Sequence, residues 1–270
     1  MYAERVLRKV GRALDRVWPV SALGRALYAR EFAANRDHNL FRGVYAGFAE
    51  AQAAAPATRP VGYDNDASSN LYADRLRLQD YAALHWIRRA IDAGARHVFD
   101  LGGHTGVKFF GFRKLGALPA DLRWTVCEVP AVVESGRRRA RHEGVEAQLG
   151  FTADRADLVH ADVLYSSGAV QYLEESPGAM LQRLGARPRW IVLNATPLHP
   201  DTSYVTLNSI GTAFCPYRVQ SRPSLIAELE ALGYRRLDEW ENDAKPLELP
   251  FHPELRVPAY KGLCFELASR

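Results

Sequence analysis

Residues 97–106 read His97-Val-Phe-Asp100-Leu-Gly102-Gly103-His104-Thr-Gly106. Three large apolar residues surround one acid, the pattern of a short strand buried on both faces, and the run stops at two glycines. A helix can begin at about Val107, directly after Gly106. Strand, glycine turn and helix together make the first half of a βαβ unit. Downstream the alternation repeats. Arg123-Trp-Thr-Val-Cys-Glu128 predicts a second strand, followed after Pro130 by a helix over 131–143. Residues 148–151 predict a brief third strand. Asp162-Val-Leu-Tyr-Ser166 predicts a fourth, with a helix over 170–184 behind it, and Trp190-Ile-Val-Leu-Asn194 a fifth. This spacing calls for right-handed crossovers and a parallel sheet with helices on both faces. A polar segment over 199–222 follows, then a helix over 224–232 and two terminal strands, 234–240 and 262–267. Pro246, Pro250, Pro253 and Pro258 punctuate the loop between those strands.

Upstream, Leu76, Leu78, Tyr81, Leu84, Trp86 and Ile87 suggest a long helix within 71–93, closed by Gly94. Residues 31–70 read as irregular: an aromatic-rich run, Phe41-Arg-Gly-Val-Tyr45-Ala-Gly-Phe48, then an Ala/Pro stretch over 51–60 and a turn at Gly62-Tyr63-Asp64. Val6, Val10, Leu14 and Val17 recur at helical spacing beside a basic face, and Pro19 ends that first helix. The expected organisation is a helical and irregular extension over 1–70, its basic helical part being 1–30. A single α/β domain over 71–270 follows, with an insertion at about 199–222.

The chain has 270 residues, 47% hydrophobic and 24% charged, which excludes disordered, collagenous and disulfide-scaffold classes. No stretch approaches the roughly 18 apolar residues of a membrane span. The start, Met1-Tyr-Ala-Glu-Arg5, lacks the apolar core of a secretory signal, so the expected location is cytoplasmic. Residues 1–30 carry seven basic side chains against two acids, a net +5; with +4 for the whole chain, the remainder is −1. A nearly neutral body does not suit nucleic acid. The basic helix could lie on an anionic membrane face or pack on its own domain or a partner, and its lack of a Leu/Phe run favours packing. Three cysteines, Cys127, Cys215 and Cys264, have no CxxC spacing and give no support to a metal or redox site.

In an open parallel sheet, ligands bind beyond the carboxyl ends of the strands, near the point where strand order reverses. Three features converge there. The glycine turn lets backbone approach a ligand closely, beside the amides of a helix start. Glu128, at the end of the next strand, can accept both hydroxyls of a ribose, or it can cap the following helix. Tyr165-Ser-Ser167-Gly-Ala-Val-Gln-Tyr172, at the end of the fourth strand, leaves room through small residues. Asp100 separates two ligand classes: it would repel the pyrophosphate of a dinucleotide and attract a cationic amino-acid end. Neither GxGxxG nor GxxxxGK[ST] is present, so NAD and nucleoside triphosphates lose ground.

Asp100-Leu-Gly-Gly-His-Thr-Gly106, Glu128 and Ser166-Ser-Gly-Ala-Val-Gln-Tyr172-Leu resemble motif I, the second-strand acid and the post-fourth-strand motif of class I S-adenosylmethionine-dependent methyltransferases. The terminal strand pair is similar to that Rossmann-like fold, a mainly parallel seven-stranded sheet whose last strand is antiparallel. More narrowly, the Phe41–Tyr45 run, the Gly62-Tyr63-Asp64 turn, the Asp100-Leu-Gly-Gly103 turn and Gly233-Tyr234 resemble a family of bacterial methyltransferases whose members often accompany genes for cell-surface polysaccharide synthesis. The resemblance implies S-adenosylmethionine as cofactor, S-adenosylhomocysteine as product and no metal. It implies Gly102, Gly103 and Gly106 at the methionine end, Asp100 on the amino group, Glu128 on the ribose, Asp154 at the adenine and Ser167 on the pocket floor. His104 departs from the small residue usual in the turn.

Methyl transfer from a sulfonium is an in-line displacement, so the protein mainly aligns donor and acceptor. A hydroxyl acceptor also needs a base. His199, just past the fifth strand, is the first candidate, with His104 and Tyr172 behind it; His160 precedes the fourth strand and should lie at the wrong end of the sheet. No Asn-Pro-Pro-Tyr follows the fourth strand, and Asn194-Ala-Thr stands where a divalent-metal enzyme would place acids. Tyr204, Phe214, Tyr217 and Arg218 of the insertion are expected over the acceptor side. The resulting expectation is O-methylation of a sugar or glycan-precursor hydroxyl. The alternatives are an NAD-type Rossmann oxidoreductase and a non-catalytic scaffold at a membrane-bound glycan assembly.

Overall fold

The computed structural model describes residues 20–64, 76–242 and 245–268. The expected basic helix before Pro19, and residues 71–75 of the expected long helix, lie outside the described residues. Helices are α1 (Val20–Ala34), α2 (Phe48–Ala53), α3 (Leu78–Asp92), α4 (Val107–Lys114), α5 (Pro130–His142), α6 (Pro177–Leu184) and α7 (Arg222–Ala231). Strands are β1 (Leu40–Tyr45), β2 (His97–Leu101), β3 (Arg123–Cys127), β4 (Leu149–Thr152), β5 (Val163–Ser167) and β6 (Trp190–Thr196). They continue with β7 (Leu198–His199), β8 (Tyr204–Ser209), β9 (Phe214–Ser221), β10 (Tyr234–Asn242) and β11 (Tyr260–Leu267).

The larger sheet has seven strands in the order β10-β11-β6-β5-β2-β3-β4. β2 pairs in parallel with both β3 and β5, β3 with β4, and β5 with β6. β11 runs antiparallel to both its neighbours, β6 and β10. The chain moves outward from β2 to β4 and then returns to β5 on the other side, so strand order reverses between β2 and β5. In open α/β sheets ligands bind at the carboxyl edge beside such a point.

Every residue of β2 is buried. Val98 packs into the layer of Phe109, Phe112, Trp124 and Tyr165, beneath α3 and α4. Phe99 and Leu101 face the opposite layer of Leu164, Met180, Ile191 and Leu225. Period-two alternation between two apolar layers is why the sequence reads as one continuous run. Burying each large ring of the first layer contributes about 2–3 kcal/mol. The helix expected over 170–184 is instead a 3₁₀ turn (Val170–Tyr172) and, separately, α6. Pro177 has no N–H to donate and stands at the first helical position, while the Ser176 hydroxyl accepts the Ala179 N–H at 3.2 Å. The helix must therefore restart there.

The second difference is larger. Residues 31–70 and 199–222 were expected as irregular and polar segments, yet β1, β8, β9 and β7 form a four-stranded sheet in that order. β1 and β8 are antiparallel, and all six residues of β8 are buried. Its polar side chains find partners on β1: Thr206 Oγ1 donates to Arg42 O at 3.3 Å, and Asn208 Nδ2 to Leu40 O at 3.1 Å. Arg59, 8% exposed, closes the sheet's end by donating to Gly211 O at 2.7 Å and Phe32 O at 3.1 Å, with its guanidinium 4.0 Å from the Phe214 ring centroid. The amino-terminal strand and the insertion thus make one lobe. Phe41, Tyr204, Tyr217, Leu247 and Tyr260 join it to the start of β11, beside the carboxyl end of β6. Among the described residues no helix is long and apolar enough to cross a membrane.

Candidate functional site

The site is built on the ends of β2 and β3. Asp100 is 1% exposed; its Oδ2 accepts the Trp124 Nε1–H at 3.0 Å, while Oδ1 is buried without a partner among the described residues. Burial pushes its carboxyl up to about 7, although Trp124 and Lys108 pull the other way, and Glu128 adds to the rise. Directly above lies Gly103, where a Cβ would fall 2.2 Å from Asp100 Oδ2. Gly102 turns the chain at φ +75°, and a Cβ there would meet the Ala169 Cβ at 2.1 Å. These glycines are required by the protein's own packing, before any ligand is considered. Gly106 caps α4.

His104 takes the left-handed conformation, φ +56°, which is uncommon outside glycine. Two hydrogen bonds tie the turn to the end of β3. Gly102 N–H donates to Cys127 O at 2.9 Å, and His104 N–H donates to Glu128 Oε1 at 3.0 Å. Glu128 Oε2 accepts the Val129 N–H at 3.1 Å. Burial raises the Glu128 carboxyl pKa, and these two amide bonds partly offset the rise. Asp100 and Glu128 therefore occupy one rim, joined by the glycine turn, and each carboxylate oxygen of Glu128 keeps a further lone pair for a ligand.

A second set of residues braces this rim, and no sequence motif marks it. Asp80, 1% exposed at the start of α3, pairs its Oδ2 with Lys108 Nζ at 2.7 Å and accepts the Arg77 N–H at 2.7 Å. Its Oδ1 accepts Asn194 Nδ2 at 3.0 Å. Asn194, fully buried, also donates to Ser167 Oγ at 3.2 Å and accepts the Trp240 Nε1–H at 3.0 Å. Ser167, at the end of β5, is thus tied to β6, and through Asn194 and Asp80 to α3. Asp154 stands exposed past the end of β4, where its Oδ1 accepts the Ala156 N–H at 2.8 Å and caps a 3₁₀ turn.

The three candidates for a base fare differently. His199 Nδ1 accepts the N–H groups of Asp201 at 3.1 Å and Thr202 at 3.0 Å, so the ring proton is on Nε2, which donates to Glu254 O at 3.0 Å. Both nitrogens are committed to backbone and the residue is 7% exposed. His199 positions loops and has no lone pair to offer a substrate. His199→Ala is expected to cost about 2 kcal/mol in a denaturant melt, from three lost hydrogen bonds. It should leave the position of any neutral-pH inflection in the pH–rate profile unchanged. His104 is 4% exposed, with Nδ1 3.2 Å from Thr105 Oγ1. Tyr172 donates its hydroxyl to Asn208 Oδ1 at 3.0 Å and borders an open cavity of about 480 Å³, shared with Phe48, Arg155, Leu173, Glu174 and Glu175. Among the described residues no cluster of His, Cys, Asp or Glu is placed to hold a metal ion. All three cysteines are free and buried.

No protein-family model matches this sequence, and no curated protein matches it. Solved structures with a similar course of the chain include the mitomycin 7-O-methyltransferase MmcR (18% identity, 69% of this chain and 53% of that one, TM-score 0.45), so this chain spans about half of that protein. They also include the CcbJ methyltransferase from Streptomyces caelestis (16% identity, 76% of this chain and 96% of that one, TM-score 0.44). A third is the N-terminal domain of EvdMO1 in the presence of S-adenosylhomocysteine and D-fucose (16% identity, 72% and 85%, TM-score 0.48). At these scores the likeness decides nothing about chemistry, which rests on the geometry of the site itself.

Proposed function

We propose that the chain is an S-adenosylmethionine-dependent methyltransferase acting on a small-molecule hydroxyl, in keeping with the sugar or glycan-precursor acceptor expected from the sequence. The observation that carries this reading is the rim itself: two carboxylates on adjacent strand ends, bridged by a glycine turn at the point where strand order reverses. One of them, Asp100, keeps a buried oxygen without a donor among the described residues. A cationic amino group supplies the missing donor, whereas a pyrophosphate would meet two acids.

S-adenosylmethionine, when bound, supplies a methyl group made electrophilic by its sulfonium. The protein's part is alignment and the exclusion of water. Asp100 Oδ1 would hold the amino group. Glu128 would accept ribose hydroxyls with the lone pairs its amide bonds leave free. Ser167 would limit the depth of the pocket, and Asp154 would reach the adenine edge. Tyr172 lies at the wall of the open cavity and His104 in the turn; with His199 committed to backbone, these two remain the candidates for moving the acceptor's proton.

Calorimetric titration with S-adenosylhomocysteine and with NADH tests the proposal. Binding of the first without the second is the expected result, and tight NADH binding with no response to the sulfur ligand would defeat it. Glu128→Ala should weaken S-adenosylhomocysteine several-fold or more; an unchanged affinity removes the ribose role.

A further inference from the structure

Among the described residues Lys245 differs from the other cations withdrawn from the surface, Lys108 and Arg59. Lys108 has Asp80 at 2.7 Å, and the guanidinium of Arg59 has carbonyl acceptors. Among the described residues Lys245, half-buried, makes no side-chain hydrogen bond or ion pair, and its Nζ lies 4.7 Å from the centroid of the Tyr260 ring. Burial, and then the charge of Arg77, lower its ammonium to about 8. Among the described residues the charge that acts on it is thus another cation. An ammonium withdrawn from water with no counter-charge is costly, and such a group stands ready for an anionic partner.

Its place in the fold says which kind. Lys245 N–H donates at 3.2 Å to the carbonyl of Asn242, the last residue of β10. Tyr260 opens β11, and Lys261 pairs with Thr196 at the end of β6. Lys245 therefore stands over the carboxyl edge of the sheet, on the β6 side of the Asp100–Glu128 rim. Arg77 approaches from the start of α3, which Asp80 fastens to Asn194 at that same edge. The packing beside it is aromatic: Tyr260 and Tyr217, both buried, share a hydroxyl–hydroxyl hydrogen bond of 2.7 Å, and the Tyr172 ring, which borders the open cavity, meets Tyr217 edge-on at 5.0 Å.

We propose that Lys245 is the anion-binding residue of the acceptor pocket, pairing with a carboxylate or phosphate group carried by the methyl acceptor. This rests on the methyl-transfer reading. The other source of the same chemistry is the carboxylate of the cofactor's amino-acid end.

The test uses the full chain with inorganic phosphate and S-adenosylhomocysteine as probes. Brief acetylation at pH 7.5, read by mass spectrometry, reports separately on Lys9, Lys108, Lys114, Lys245 and Lys261, the five lysines of the chain. Phosphate should slow acetylation of Lys245 several-fold, with or without saturating S-adenosylhomocysteine, and leave the others unchanged. At matched ionic strength phosphate should raise the Tm of the natural protein and of Lys245→Arg by about 2–4 °C, but not that of Lys245→Met. Lys245→Met alone should melt at or above the natural protein, because it removes an unpaired cation. Three results overturn the proposal: protection by S-adenosylhomocysteine with no added effect of phosphate, which gives the lysine to the cofactor; no protection by either probe; or a lowered Tm for Lys245→Met, which makes the lysine a packing residue. S-adenosylhomocysteine calorimetry on the same samples reports independently on the methyl-transfer reading. Phosphate protection without cofactor binding would support the anion site and remove only that reading.

Discussion

From pH 8 to pH 6 the affinity for S-adenosylhomocysteine is expected to fall about tenfold, and Asp100→Asn to hold it at the low-pH level throughout. The Asp100 carboxyl titrates at about 7, so its ionised fraction drops by about that factor over this range. Only the ionised form attracts a cationic amino group, and binding must release a proton when it starts from the acid form. Calorimetry in two buffers of different ionisation enthalpy would show that release near pH 6 and none near pH 8. The same group makes the unliganded protein respond in the opposite sense. Its folded pKa is raised above the unfolded value, so the folded chain binds the proton more tightly. That stability is fully present below about pH 4 and is lost as the pH rises through 7, by up to about 4 kcal/mol. Glu128, also raised by burial, acts in the same direction. An affinity independent of pH would remove Asp100 from the site.

The second large effect is steric. Gly102→Ala is expected to lower stability by about 3 kcal/mol, from left-handed strain of about 1–2 and the overlap with Ala169. The overlap alone is reversible. Ala169→Gly removes the atom that the new methyl would meet at 2.1 Å, so the double variant should recover the packing part and keep the strain. A double-mutant cycle from denaturant melts measures that difference as a coupling energy. Additive effects would mean that Ala169 does not lie over the turn. The double variant should also regain S-adenosylhomocysteine binding in part, since the turn is what presents Asp100 and Glu128 together.

The strands that carry the rim were legible because they are buried on both faces. β2 occupies the expected residues, and β3, β5 and β6 begin or end within one or two of them. The pairing of Asp100 with Glu128 followed as well, since parallel neighbours bring consecutive strand ends together. What local patterns could not show is wherever a buried polar residue finds its partner far along the chain. Thr206 and Asn208 look like surface residues until Arg42 and Leu40 supply acceptors. Asp80, Lys108 and Asn194 come from three elements and meet only in the fold. His199 has the residue type and position of a base, and its fate depends on the carbonyl of Glu254 and two amides of its own loop. An imidazole's availability is a property of its surroundings, which no spacing encodes.

The edge of the accessory sheet has a consequence for biosynthesis. Arg42 and Thr206 are separated by 164 positions, so at a translation rate of about 5–20 residues per second the first strand emerges roughly 10–30 s before its mate. Throughout that interval Phe41 and the backbone beside it lack their cover. A nascent chain halted before residue 204 should accordingly recruit trigger-type holdases at its leading end, and a circular permutant that brings the two strands together should escape them.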